Sequence, residues 1–385
     1  MNRRTFLRGM CAGGVATFTS GTLSLATVPG SGKLVFVLLR GGLDGLSAVV
    51  PYGDRDYQDV RGSLAFQAAA LEVLDDQFGL APGFRPLKEL WDQGELAVAH
   101  AMAIPYRTRS HFDGQAVLET GLDVPRGSSD GWLNRLLQVM EGNRSGIAVA
   151  AGLPLSLSGS HAVKTWSPAK LGVADDGYLD RLHLLYRHDP GLLDRFEAAL
   201  QMPEVGMMGT SGRAGRQQIE PILGATARFL REPDGPNVAA VEFSGWDTHA
   251  NQGQQGGQLD RLLDQLATGI LAFKSRVGPA WDQTTVVVMT EFGRTARPNG
   301  TGGTDHGTAG AGLIIGPRLS RSRVLADWPG LAKKALYEDR DLRPTLDTRA
   351  VLKAVVAGCF DLNRNQLNQV FPGTDHLQGI PDLMS

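Results

Sequence analysis

The sequence predicts an α/β protein in which a mostly parallel sheet is sandwiched by helices, with a helical insertion over residues 156–231. Three observations carry this. The run Val286, Val287, Val288 and Met289 has Thr284 and Thr285 ahead of it and Thr290 and Glu291 behind. An apolar run that is rich in β-branched residues and bounded by polar ones reads as a strand buried on both faces. Stretches of helical periodicity alternate with such runs, and strand–helix alternation implies parallel strands joined by crossovers. Each run also passes directly into a Gly-rich or charged loop, so polar residues collect where an open sheet binds its ligands.

In chain order, Lys33 to Leu39 is the first mature strand, and Arg40, Gly41, Gly42, Leu43, Asp44 and Gly45 form a tight turn behind it. Leu96 to Met102 is the second, leading through Pro105 to the charged loop Tyr106, Arg107, Thr108, Arg109, Ser110. Gly146 to Ala151 precedes a Gly/Pro loop, and Asn237 to Phe243 is followed at once by Ser244 to His249. Helical periodicity covers Pro86 to Trp91, Asp113 to Thr120, Trp132 to Met140, Leu179 to Leu200, Gln217 to Leu230 and Leu259 to Phe273. Between Ser156 and Arg231 strand-like runs are scarce and Met202 to Arg216 is soft, the pattern of a helical lid or a loop. Leu331 to Gln369 reads as helices that supply core.

Residues 1–30 carry Arg3, Arg4 and Arg8, then a short apolar stretch rich in Ala, Gly and Thr. Paired arginines before Phe6 and Leu7 give the twin-arginine form of a signal peptide, so export to the periplasm and transient contact with the translocase are expected. The stretch is too short and too glycine-broken to span a bilayer, and no stable membrane insertion is expected of the mature chain, residues 31–385. Of 2 Cys, Cys11 leaves with the signal, so Cys359 stands alone and no intrachain disulfide forms. The formal net charge of -2 moves to -5 on loss of the three arginines, and no basic run follows, which excludes nucleic acid as a partner.

Chemistry gathers on the predicted sheet edge. Asp247 and His249 sit two apart behind a strand, Asp305 and His306 repeat the pairing on the loop after Glu291, and Asp44 adds a carboxylate. Mixed oxygen and imidazole ligands suit Zn²⁺ or Mn²⁺ first, with Mg²⁺ or Ca²⁺ as further options. Ser110 opens a helix beside Arg107 and Arg109, where an anion is held by backbone N–H groups and guanidinium forks and a hydroxyl is poised as a nucleophile. Ser-x-x-Asp is equally close to a helix cap worth ~1 kcal/mol. His111 sits beside Ser110 and is a candidate substrate contact.

LRGGLDGL at Leu39 to Leu46, RSHFDGQ at Arg109 to Gln115, GWDTHANQ at Gly245 to Gln252, TEFGRT at Thr290 to Thr295 and GTDHG at Gly303 to Gly307, together with the signal, resemble the DUF1501 family of twin-arginine-exported bacterial proteins. That family is placed in the alkaline phosphatase-like, sulfatase-like superfamily. The resemblance implies two metal sites flanking a nucleophile, with Ser110 as that nucleophile and Asp44, Asp247, His249, Glu291 and His306 as ligands. Phe292 then stands where the superfamily has a ligand histidine, with Asp305 or His111 to compensate. A second register matches Asp305 and His306 to the superfamily's Asp-His pair itself. The expected function is an exported metal-dependent hydrolase of a phosphate or sulfate ester, small or polymeric, with Arg109 and Arg294 as oxyanion clamps and Arg107 on the substrate. The alternative is a catalytically degenerate scaffold that binds an anionic envelope ligand or a partner protein.

Overall fold

A computed structural model describes residues 32–125, 127–142, 144–167, 186, 193, 219–377 and 379–385. Its centre is a nine-stranded sheet built from β1 (Lys33–Leu39), β2 (Leu96–Ala103), β3 (Gly146–Val149), β4 (Lys164–Trp166), β5 (Val238–Phe243), β6 (Thr284–Thr290), β7 (Gly310–Ile315), β8 (Arg323–Leu325) and β9 (Leu346–Asp347). The order is β8-β2-β7-β6-β1-β5-β3-β4, with β9 paired to β2. Only β7 runs against the others, antiparallel to both β2 and β6. The sheet is therefore mixed and mostly parallel. The sequence pattern missed β7 because its Gly-Ala-Gly opening continues the glycine loop before it.

Alternate residues of each central strand enter two separate cores. Val35, Val37 and Leu39 of β1 pack with Val286 and Val288 of β6 on one face, under the helices α3 (Ile219–Arg231) and α4 (Gln258–Val277). Leu34, Phe36 and Leu38 pack with Val287 and Met289 on the other, under α2 (Trp132–Val139), α5 (Thr348–Phe360) and α6 (Arg364–Val370). Each such fully buried side chain contributes roughly 1.5–3 kcal/mol, so both faces must be covered and the fold is a three-layer sandwich.

The register decides where the chemistry emerges. Leu39 lies opposite both Phe243 of β5 and Thr290 of β6, so these three strands end level. The loops after β1, β5 and β6 leave side by side, and β2 points the same way, delivering α1 (His111–Thr120) to that edge.

Of the expected insertion, Lys164–Trp166 is an edge strand and Ile219–Arg231 lies on α4, while the predicted helix 179–200 and the stretch 202–216 lie largely or wholly outside the described residues. One expectation is corrected: 331–345 forms no α-helix, and its helical part is the single 3-10 turn Lys333–Ala335. Pro329, Gly330 and Pro344 prevent a continuous helix there, and the segment wraps the site loop instead, pairing Asp341 with Thr295.

Candidate metal centre

The turn after β1 is a nest. Gly41 and Gly42 hold φ of 126° and 76°, conformations that side-chain-bearing residues avoid, and aim their N–H groups at the Glu291 carboxylate at 2.9 and 3.3 Å. A Cβ on Gly41 would come within 2.5 Å of the Asp247 nitrogen, so glycine there also lets the loop after β5 close onto the turn. Glu291 is fully buried and accepts further hydrogen bonds from Thr290 Oγ1 at 2.9 Å, Gln115 Nε2 at 2.9 Å and His111 Nδ1 at 2.7 Å. Burial opposes its charge, but the bonds from His111, Gln115 and Gly41 hold its carboxyl below the usual range.

Three imidazoles are oriented alike. His111 gives Nδ1 to Glu291, His249 gives Nδ1 to Asp305 Oδ1 at 3.1 Å, and His306 gives Nδ1 to the carbonyl of Arg109 at 3.0 Å. Each acceptor is an oxygen that cannot donate, so each neutral ring carries its proton on Nδ1 and presents a bare Nε2. Those nitrogens meet: His306 Nε2 lies 2.8 Å from His111 Nε2 and 2.9 Å from His249 Nε2. Asp247 joins them, with Oδ1 at 3.0 Å from His249 Nε2 and 3.3 Å from His306 Nε2, and Oδ2 at 3.4 Å from His111 Nε2.

Lone pairs this close repel until a cation is shared among them. The hydrogen bond to Glu291 raises the His111 pKa against the effect of burial, whereas burial and the neighbouring His111 lower that of His306. In the absence of a metal, one proton therefore favours His111. Tetrahedral ligands at about 2.0–2.1 Å from Zn²⁺ stand about 3.3 Å apart, close to the separations found here. His111, Asp247 and His306 form a metal-type ligand group, His249 adjoins it, and each histidine has the outer hydrogen bond that metal-ligating imidazoles use.

Asp247 is held by Arg294, whose fully buried guanidinium also binds the carbonyls of Gly41 and Thr304. Burial works against the Asp247 charge, and Arg294 with the flanking histidines more than offsets it, leaving its pKa lowered. Arg294 Nε donates to Thr304 Oγ1, which donates to Gln252 Oε1, whose amide donates to Asp44. A polar chain thus runs from the centre back into the core.

Several predicted residues stand elsewhere. Asp44 is not among the converging ligand atoms: it is buried against Arg61 at 2.5 Å and Ser47 Oγ at 2.9 Å, as the cap of the short helix Gly45–Ala48. Glu291 and Asp305 sit behind histidines, each on the far ring nitrogen. Arg109, at φ 63°, turns its carbonyl to His306 while its side chain pairs with Glu338 and Asp341 at 2.5 and 2.8 Å. Arg294 is likewise committed to Asp247, so neither arginine is a free clamp. Arg107 donates to the carbonyls of Ile104 and Tyr106. Ser110 caps α1, its Oγ accepting from Asp113 N at 3.5 Å. His111, expected as a substrate contact, brings its Nε2 into the group of converging nitrogens. Phe292, in place of the expected histidine, packs its ring 4.9 Å from that of His111 and 5.2 Å from that of His306, so His111 supplies the imidazole from another element.

The fold and site define a three-layer α/β protein with a histidine-rich centre of metal-binding type at the C-terminal edge of its sheet. Residues 208–371 match the family described as "Protein of unknown function (DUF1501)", so the family resemblance of the motifs is shown over that stretch. No match to a curated protein was found. Among solved structures the chain is similar to Ps i-CgsB in complex with k-i-k-neocarrahexaose, at 10% identity and TM-score 0.42 over 90% of this chain and 74% of that one. It is also similar to the PsFucS1 sulfatase from Pseudoalteromonas sp., at 14% identity and TM-score 0.35 over 76% of this chain and 64% of that one. A histidine-to-glutamate mutant of TAB5 alkaline phosphatase with Mg bound in its M3 site gives 11% identity and TM-score 0.37 over 75% and 92%. The fold assignment itself stands on the sheet topology described above.

Proposed function

We propose that this chain is an exported, metal-dependent hydrolase of phosphate or sulfate esters. The observation that carries the reading is the convergence of three Nε2 atoms and the Asp247 carboxylate, with the other nitrogen of every imidazole set against an oxygen acceptor. His111, Asp247, His249 and His306 would hold a divalent ion, Zn²⁺ or Mn²⁺ by donor type. Such an ion supplies Lewis-acid polarisation of a phosphoryl or sulfuryl oxygen. Ser110 is the candidate nucleophile: its two chain neighbours are Arg109, whose carbonyl accepts from His306, and His111 itself, so the residue lies beside the centre in the chain while its Oγ accepts from Asp113 N. In the first turn of α1 the Asp113 N–H is taken by Ser110 Oγ, whereas the N–H groups of His111 and Phe112 have no carbonyl partner one turn earlier and are available to an anion at low cost. The twin-arginine signal supports the periplasm as the site of action.

The test is metal content of the exported protein, followed by turnover of aryl phosphates and aryl sulfates with Zn²⁺, Mn²⁺, Mg²⁺ and Ca²⁺. Ser110→Ala should abolish turnover and leave the metal bound. Retained turnover reduces Ser110 to a cap worth ~1 kcal/mol. The engagement of Arg109 and Arg294 in ion pairs favours the second reading, a scaffold that binds metal and an anionic ligand without hydrolysis. Stoichiometric metal with no turnover of either ester class would select it.

A further inference from the structure

The ligand chemistry of the centre does not explain Gln115, one helical turn along α1 from His111. Its side chain bridges two charged groups. Gln115 Oε1 accepts from Arg40 Nη1 at 2.6 Å, and its Nε2 donates to Glu291 Oε1 at 2.9 Å. The orientation of this amide is dictated by its partners. A guanidinium only donates and an ionised carboxylate only accepts, so the oxygen must face Arg40 and the nitrogen must face Glu291. Arg40 is fixed in turn by Glu242, at 2.8 Å through Nε and 2.5 Å through Nη2, and by the buried Glu119 at 3.0 Å.

We propose that Gln115 is a positioning residue that sets the ring orientation and tautomer of His111, and so the affinity of the centre for its metal ion. Glu291 Oε1 receives three donors, Gly41 N, His111 Nδ1 and Gln115 Nε2. Two of them are fixed by backbone and by the Arg40 anchor, so they pin the oxygen against which His111 must orient. Pinning that oxygen keeps the His111 proton on Nδ1 and leaves Nε2 as the ligand atom. Gln115 touches neither substrate nor metal-facing atoms: it acts through Glu291. The inference rests on the metal-binding reading above, and outer partners of metal-ligating histidines characteristically tune affinity about 10- to 100-fold.

Gln115→Met keeps the length of the side chain and removes both hydrogen bonds. Arg40 retains Glu119 and Glu242, and Glu291 retains its other donors, so the metal-free variant should unfold near the wild-type temperature. Zn²⁺ and Mn²⁺ dissociation constants by competition titration should rise about 10- to 100-fold in the variant. At alkaline pH, where the imidazoles are neutral, the long-range ¹H–¹⁵N spectrum of the metal-free wild type should show His111 protonated on Nδ1, and the variant should show that preference weakened. Equal metal affinity in the two proteins, with wild type binding tightly, overturns the inference and leaves the metal centre intact. A wild type that binds neither ion removes the metal centre itself. A Met variant that does not fold assigns Gln115 to structure and also overturns the proposal.

Discussion

Replacing Asp44 by Asn separates a ligand from a buried structural ion pair. Asp44 and Arg61 are 1% and 0% exposed, and Oδ2 of Asp44 takes Arg61, Ser47 Oγ and the Gln252 amide together, while Oδ1 takes only Ser47 N. An asparagine can place its oxygen at the Oδ2 position and keep those three bonds, at the cost of an NH₂ facing Ser47 N. What it removes is the charge. Arg61 is then a buried cation with only neutral partners, namely the amide oxygen at position 44, the carbonyls of Thr295 and Ala296 and the Ser47 hydroxyl. Breaking a buried pair on one side costs about 3–5 kcal/mol, and the remaining carbonyl bonds place Asp44→Asn near the lower figure. Against a typical total of roughly 5–15 kcal/mol, most of the protein stays folded at 25 °C. Urea unfolding of the metal-free protein should show the loss, and the folded variant should bind as many equivalents of Zn²⁺ as wild type. A variant of native stability that has lost its metal would refute this reasoning and restore Asp44 to the ligand set.

Burial pushes the His100 pKa down to about 4, because its ring is sealed in the core with Nε2 donating to Val49 O and Nδ1 accepting from Ala101 N. Its folded pKa lies below the unfolded value, so its contribution is complete above pH 6.5 and is lost as pH falls through 4. Wild type should therefore lose about 3 kcal/mol more between pH 7 and 4 than His100→Gln, and parallel stability curves would contradict this. Gly41→Ala forces a Cβ to within 2.5 Å of the Asp247 nitrogen at a φ of 126°, so it should cost about 1–3 kcal/mol and weaken Zn²⁺ binding more than tenfold. Calorimetry and metal titration check both, and a wild-type response would remove the nest from the account.

The central strands were legible because each is apolar on both faces and ends in a polar loop. Five runs, at Lys33, Leu96, Gly146, Asn237 and Thr284, correspond to β1, β2, β3, β5 and β6. β7 was not, since Gly310 and Gly312 remove the side chains that mark a strand, and Gly312 is small because Met289 and Met102 close over it. At the site, the motif pattern indicated which loops meet but not which atoms. Asp44 follows a strand as a ligand would, yet Arg61, 17 positions away, takes its charge, and no local pattern announces that pair. His111 carried the opposite ambiguity. Its neighbour Ser110 suggested substrate, whereas the partner that defines it, Glu291, lies 180 positions distant.

The placement of Glu291 shows how stability and function are joined here. Among the described residues its ion-pair partner is His111, and no lysine or arginine pairs with it directly. A buried carboxylate without a cation is costly, and hydrogen bonds from a glycine nest, Thr290 and Gln115 offset only part of that cost. The remaining compensation must come through the His111 ring, either as a proton on Nε2 or as a metal ion bound there. The same carboxylate that favours positive charge on the His111 ring therefore raises the affinity of the centre for a cation. Substituting a histidine for Phe292 would leave this coupling untouched, because Phe292 packs against the rings of His111 and His306 rather than supplying the charge they answer to.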